Sequence, residues 1–227
     1  MNIKKIIIIS VLFTALPLAV MAQELGSALV EYKVYTNREF VYESLPFSTD
    51  TVKGILKFNL KRSSFQLDTL TVKRGQKNIN RIFAGGDDLY YFDSEENEYL
   101  QQTTKLKKTY RIILDSLSWT VTKEQKLIDD YLCFKAVRKM EDSNGDGLSE
   151  KAEVIAWFAP EIPYSFGPSK YGGLPGLIIQ CEYGNTIIKL NKIDWKEEEV
   201  EISRPNLGEE ITFEQFKKIA KQEFPNF

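Results

Sequence analysis

The stretch Trp157–Ile179, WFAPEIPYSFGPSKYGGLPGLII, leaves the chain few ways to fold. It holds Pro160, Pro163, Pro168 and Pro175, half of the eight prolines, and Gly167, Gly172, Gly173 and Gly176 of the thirteen glycines. Ile155, Trp157 and Ala159 alternate with Ala156 and Phe158, which reads as a strand apolar on both faces. Pro160 and Pro163 end it, because neither can donate to a ladder. Gly167-Pro168 is a turn signal. Pro175 pushes Leu174 towards an extended conformation, and Gly176 releases the chain into Leu177-Ile178-Ile179, a buried-strand signature. A strand therefore enters a long irregular connection and a strand leaves it. Tyr164, Phe166, Tyr171 and Leu174 are too apolar for a solvated loop, so with Trp157 they are the residues expected to cover a core, a ligand or a partner.

Gly173-Leu174-Pro175-Gly176-Leu177-Ile178 spells GLPGLI, and the chain resembles the GLPGLI family of exported bacterial proteins. Ala156–Pro163, Phe166-Gly167-Pro168 and the strand Asp130–Ala136 also look like that family, which more often has Gly where Asp130 stands. The resemblance is close from about Trp119 to Ile179. It implies an exported protein of the envelope and carries no established activity.

Met1–Ala22 reads as a signal peptide: Lys4 and Lys5, an apolar run from Ile6 to Val20, and Val20-Met21-Ala22 before Gln23. The expected location is the periplasm or outside the cell, and the expected mature chain is one domain, residues 23–227. No second long apolar segment follows, so no transmembrane span is expected in it. Net charge is −2 with both signs interspersed, and no basic stripe points to nucleic acid.

Alternating segments dominate the rest: Ala28–Thr36, Lys53–Leu60, Ser63–Val72, Leu89–Asp93, Glu98–Thr104, Thr109–Leu117, Trp119–Thr122, Leu127–Met140 and Ile187–Trp195. Their regular spacing and short turns predict a mainly β fold, one curved antiparallel sheet forming a half-barrel or barrel. At the level of architecture this is similar to periplasmic lipoprotein carriers. One helix is expected near the C-terminus. Thr212 and Gln215 make a capping box, and Phe213, Phe216, Ile219 and Ala220 share a face.

The chain has no histidine. That removes the usual general base of serine and cysteine hydrolases and most zinc, copper and iron sites. No glycine-rich phosphate loop lies between a strand and a helix. We therefore expect no catalysis and no cofactor. One metal pattern is present: Asp142-Ser143-Asn144-Gly145-Asp146-Gly147-Leu148 through Glu153 has calcium-loop spacing. Asp142, Asn144, Asp146 and Glu153 would give side-chain oxygens and Leu148 its carbonyl. The competing reading is a solvated acidic hairpin turn. Cys133 and Cys181 are the only cysteines, and an exported chain could join them as a disulfide or bury them as two free thiols.

Two functions fit a non-catalytic envelope protein with this pattern. It could bind an apolar small molecule, a lipid or an extended chain in the curved sheet, with the Trp157–Ile179 loop as a lid. It could instead dock onto an outer-membrane or secretion complex through that loop. Against both stands a purely structural role, in which the loop aromatics plug one end of the core.

Overall fold

A computed structural model describes residues 26–37, 48–68, 77–105, 108–139 and 153–223. The leader Met1–Ala22 and the calcium-type residues Asp142, Asn144, Asp146 and Leu148 lie outside the described residues. Twelve strands form one sheet: β1 (Ser27–Thr36), β2 (Val52–Phe58), β3 (Arg62–Leu67), β4 (Leu89–Asp93), β5 (Glu98–Thr103), β6 (Tyr110–Leu114), β7 (Thr120–Ile128), β8 (Tyr131–Lys139), β9 (Glu153–Ala159), β10 (Leu177–Tyr183), β11 (Thr186–Lys196) and β12 (Glu209–Thr212). A short helix α1 (Ile79–Phe83) precedes β4, and α2 (Phe213–Glu223) follows β12. The spatial order is β12-β6-β5-β4-β3-β2-β1-β11-β10-β9-β8-β7.

The order and one connection together set the curvature. β6 stands second and β7 last, ten strand spacings apart. Laid flat, that is roughly 48 Å. Only residues 115–119 join Leu114 to Thr120, which reach at most about 21 Å. The sheet must curl until its ends approach, and it does so without closing: β7 and β12 are its two edges. The predicted curved sheet is therefore an open half-barrel rather than a closed barrel.

Strand alternation sends Val30, Tyr32, Leu56, Phe58, Phe65, Ala156, Phe158 and Cys181 to the concave face, where all are buried. The opposite face of β1, β2 and β11 carries Lys33, Lys53 and Lys189 in one cross-strand row. On β10, a register shift between Ile178 and Gln180 departs from strict alternation. Leu177, Ile178 and Ile179 are consequently all buried in succession, as the unbroken apolar run requires.

Three features depart from the sequence reading. Leu127–Met140 is not one strand, because Asp129, at φ 50, and Asp130 turn the chain between β7 and β8. Asp and Asn tolerate this left-handed conformation better than most residues. The sheet is not wholly antiparallel: β12 pairs with β6 in parallel. Residues 197–208 carry the chain there across the convex face, with Ile202 buried against Tyr91 and Leu100. Arg204 then clasps Glu98 at 2.6 Å and Glu210 at 2.8 Å. The third is α1, which the sequence signals too weakly to assign; Asn78 caps it by accepting from the Arg81 backbone N–H.

The C-terminal helix forms as the capping box predicts. The Thr212 N–H donates to Gln215 Oε1 at 2.8 Å, and the Gln215 N–H donates to Thr212 Oγ1 at 3.2 Å. Phe216 and Ile219 pack on Tyr110, Ile112 and Ile211, at the β6–β12 edge.

Gly176 is the tightest point of the loop. Its φ is +152°, and a Cβ there would stand 2.4 Å from the Ala159 carbonyl oxygen and 2.9 Å from Pro160 Cα. Both neighbours are backbone, so neither can yield cheaply. Gly176→Val is expected to cost about 2–4 kcal/mol, combining left-handed strain with overpacking. Lys221→Ala on exposed α2 should stay within about 0.5 kcal/mol of the parent. Denaturant melts of the two variants check the difference.

Candidate functional site

The loop between β9 and β10 folds back into the concave face. The Ile162 carbonyl accepts from the Leu177 N–H at 2.9 Å, and the Phe166 carbonyl accepts from the Ile178 N–H at 3.1 Å. The Gly173 N–H donates to Ser165 at 2.8 Å. Side chains then tie the loop to distant strands. Tyr164 donates to the Gly26 carbonyl and Tyr32 to the Ile178 carbonyl, each at 2.6 Å. Trp119 Nε1 donates to the Gly172 carbonyl at 2.8 Å, which fastens the loop to the segment leading into β7.

The aromatic residues singled out from the sequence are buried. Tyr164 and Phe166 stack with each other and lie tilted against Phe58 at ring-centroid distances of 4.4 and 5.6 Å. Phe166 also meets Phe92 edge-on at 5.8 Å, and Tyr171 meets Trp119 at 6.4 Å. Leu174 is 2% exposed. Trp157 does not join this group at the loop. It lies in a row with Lys135 and Gln180, on the face opposite Ala156 and Phe158, with Lys126 Nζ 4.0 Å above its ring. Burial lowers the Lys126 ammonium pKa, and Glu182 opposes that.

Magnitudes decide what this loop can do. Lifting it would return Tyr164, Phe166, Tyr171 and Leu174 to water at about 1.5–3 kcal/mol each. The sum, roughly 6–12 kcal/mol, is comparable with the whole stability of a domain. The partly open recess beside Phe65, Phe92 and Phe166 holds only ≈ 20 Å³, about enough for one water. The loop thus acts as a packed plug, and the GLPGLI hexapeptide is the hinge that seats it.

A different feature, invisible in the sequence, is the open edge. Nothing among the described residues pairs with the outer side of β7, and its nine residues are largely exposed. Leu127 faces Leu132 across the β7–β8 pair, and these are 69% and 49% exposed; Val121 is 50% exposed. The other edge, β12, has four residues and runs straight into α2. No sequence pattern distinguishes an edge strand from a central one when its partner lies elsewhere in the chain.

Cys133 and Cys181 are both buried free thiols, so of the two readings left open by the sequence the disulfide is set aside. They stand on β8 and β10 with β9 between, and on opposite faces. Cys181 pairs in register with Ala156, which pairs with Ala136; Cys133 is an odd number of residues from Ala136. Burial pushes the Cys133 thiol up to about 11 and the Cys181 thiol higher still. Of the calcium-type residues only Glu153 is described; it opens β9 with its side chain exposed.

Residues 138–180 match a family described as a protein of unknown function (Porph_ging). The stretch contains the whole plug and the Gly173–Ile178 hexapeptide, and makes the chain similar there to an uncharacterised bacterial family. No curated protein matches the chain. Two crystal structures of PNGF-II, in space groups P21 and C2, share the fold with a TM-score of 0.56 each. Identity is 13% and 11%, over 86% of this chain and 33% and 32% of theirs. This chain therefore spans about a third of the PNGF-II chain, and the likeness is one of fold.

A thiol reagent tests the cysteine geometry. In denaturant two thiols per chain should react without prior reduction. In the native protein at pH 8 both should resist, because burial excludes the reagent and holds the thiols protonated. A titre of zero in denaturant would establish a disulfide instead.

Proposed function

We propose that the protein is an exported, non-catalytic interaction module of the envelope that binds an extended segment of a partner along β7. This keeps the extended-chain reading of the curved sheet and moves the contact from the loop to the edge. The observation that carries it is the open nine-residue edge beside the exposed Val121, Leu127 and Leu132. A strand added there gains main-chain hydrogen bonds from the ladder, and the exposed apolar side chains select its residues. A seam separates β7 from the β6–β12 edge, and no described strand pairs with β7 across it. An apolar ligand in the concave face is less well supported, since the plug occupies that volume.

The absence of histidine supports a role without catalysis, and the leader pattern and GLPGLI resemblance support export. Lys123, Glu124 and Lys126, together with the register shift between Val121 and Gln125, hinder indiscriminate pairing of the edge. A partner must match that charge pattern, which makes the edge selective.

Native mass spectrometry of protein isolated from its own envelope, beside hydrogen exchange of the same sample, tests the reading. The expected outcome is a bound polypeptide and slowed exchange at residues 120–128, relative to protein purified through denaturant and refolded. Leu127→Lys should leave the melting temperature unchanged, since the side chain is mostly solvated, and release the polypeptide. A bound lipid would favour the carrier function. Unchanged exchange in β7 would overturn the edge as the contact.

A further inference from the structure

The edge strand β7 has two different faces. Val121, Gln125 and Leu127 pair with Ala136, Phe134 and Leu132, and so lie on the concave side of the sheet. Lys126 pairs with Cys133 and lies on the convex side, together with Lys135, Trp157 and Gln180. A strand added along β7 alternates in the same way. Its residue opposite Lys126 meets that side chain, and the residues before and after it meet Gln125 and Leu127.

The charges of β7 are unequally engaged. Glu124 is taken up from inside the sheet, since Lys135 Nζ stands 2.9 and 3.0 Å from its two oxygens. Lys123 is exposed and has no ion pair among the described residues. Lys126 reaches back over β8 and rests with its Nζ 4.0 Å from the Trp157 ring centroid and 3.9 Å from Glu182 Oε1. That oxygen already accepts from Gln180 Nε2 at 2.7 Å. Lys189 on β11, by comparison, holds Asp129 at 3.1 Å. Lys126 thus has an aromatic ring and a distant, engaged carboxylate in place of a close acceptor, and its side chain is 38% exposed. A second group here is short of a partner. Trp157 is 8% exposed, and its indole N–H makes no hydrogen bond among the described residues. Buried polar groups are nearly all paired, so an orphan donor calls for a reason.

One event relieves both. A carboxylate opposite Lys126 on an incoming strand gives the ammonium a close, charged acceptor in place of the ring. As Lys126 swings outward to meet it, water gains access to the indole. A basic segment would instead set like charges opposite each other, and a wholly apolar one would cover Lys126 and Lys123 without pairing them. We infer that the partner of β7 is an acidic extended segment, in which glutamate or aspartate alternates with apolar residues, and that Lys126 is the residue that selects it. The sign follows from the free charge of the edge, which is positive at Lys123 and Lys126. The alternation follows from the exposed Val121 and Leu127 on the other face. This inference rests on the reading of β7 as the contact edge and names the chemistry of what binds there.

The test uses two end-blocked peptides as long as β7, one alternating valine with glutamate and the other valine with lysine. Titration calorimetry in low salt should show the intact chain binding the glutamate peptide roughly tenfold more tightly, and the gap should shrink in high salt. Lys126→Met should remove most of this preference, Lys126→Glu should reverse it, and Lys126→Arg should keep it. The glutamate peptide should also shift tryptophan emission to the red as water reaches Trp157. Trp157→Phe should lose that shift and keep the preference. Equal affinity for the two peptides, or a preference that Lys126→Met leaves intact, overturns the inference. If both peptides then slow hydrogen exchange at residues 120–128, the edge itself stands. Binding that leaves exchange there unchanged overturns the edge and the inference together. If neither peptide binds, the polypeptide carried by the native protein decides. The stretch of it that survives limited proteolysis must show the acidic alternation, and its absence overturns the inference.

Discussion

A sheet whose second and twelfth strands are joined by five residues cannot lie flat, and most of this molecule follows from that limit. The curl it imposes creates a concave apolar surface lined by Tyr32, Phe58, Phe65 and Phe158. Such a surface must be covered, and the chain covers it with the β9–β10 loop. The two edges do not pair, and Trp119, in the short connection that leads into β7, is bonded to the loop at Gly172. Outside, Tyr91 on β4 and Leu100 on β5 are covered by residues 197–208, whose path across the sheet is what delivers β12 to β6 in parallel. Curvature, plug, seam and parallel edge are thus consequences of one short connection.

Much of this was legible in the sequence, and the reasons differ by element. β1 and β2 alternate cleanly because one face meets core and the other water, so period-two patterning reports them faithfully. Thr212 and Gln215 announced α2 because a capping box is a purely local device. Gly176 was legible only in part: the Pro175-Gly176 turn is local, but the close approach that forbids a side chain there comes from Ala159 and Pro160, across the loop. The Asp129–Asp130 turn was missed because Leu127, Ile128, Tyr131 and Leu132 keep up an apolar pattern straight through it. Strand order was not legible at all. β6 follows β5 and precedes β7 in the chain, yet β7 lies at the far end of the sheet, and no residue between 115 and 119 encodes that.

The aromatic loop shows why composition misleads about role. Tyr164, Phe166, Tyr171 and Leu174 have the composition of a binding surface, and a lid, a docking patch and a plug would be written with the same letters. The difference lies in where their polar atoms go. Tyr164 sends its hydroxyl to Gly26, a residue 138 positions away, and Tyr32 reaches the Ile178 carbonyl at the loop's exit. A lid that opens would break bonds of this kind in a buried setting, where each unsatisfied group costs about 1–3 kcal/mol. That cost adds to the apolar exposure already counted. The loop is built to stay.

A loop that stays closed is also a good platform for whatever borders it. Its tip is fixed on one side by Trp119 and Gly172 and on the other by Gly173 and Ser165. The same holds for β7, whose inner side is held in register by β8. Rigidity at the centre of this fold, paid for by burying four large side chains, leaves the open ladder of β7 presented in a fixed position at the periphery.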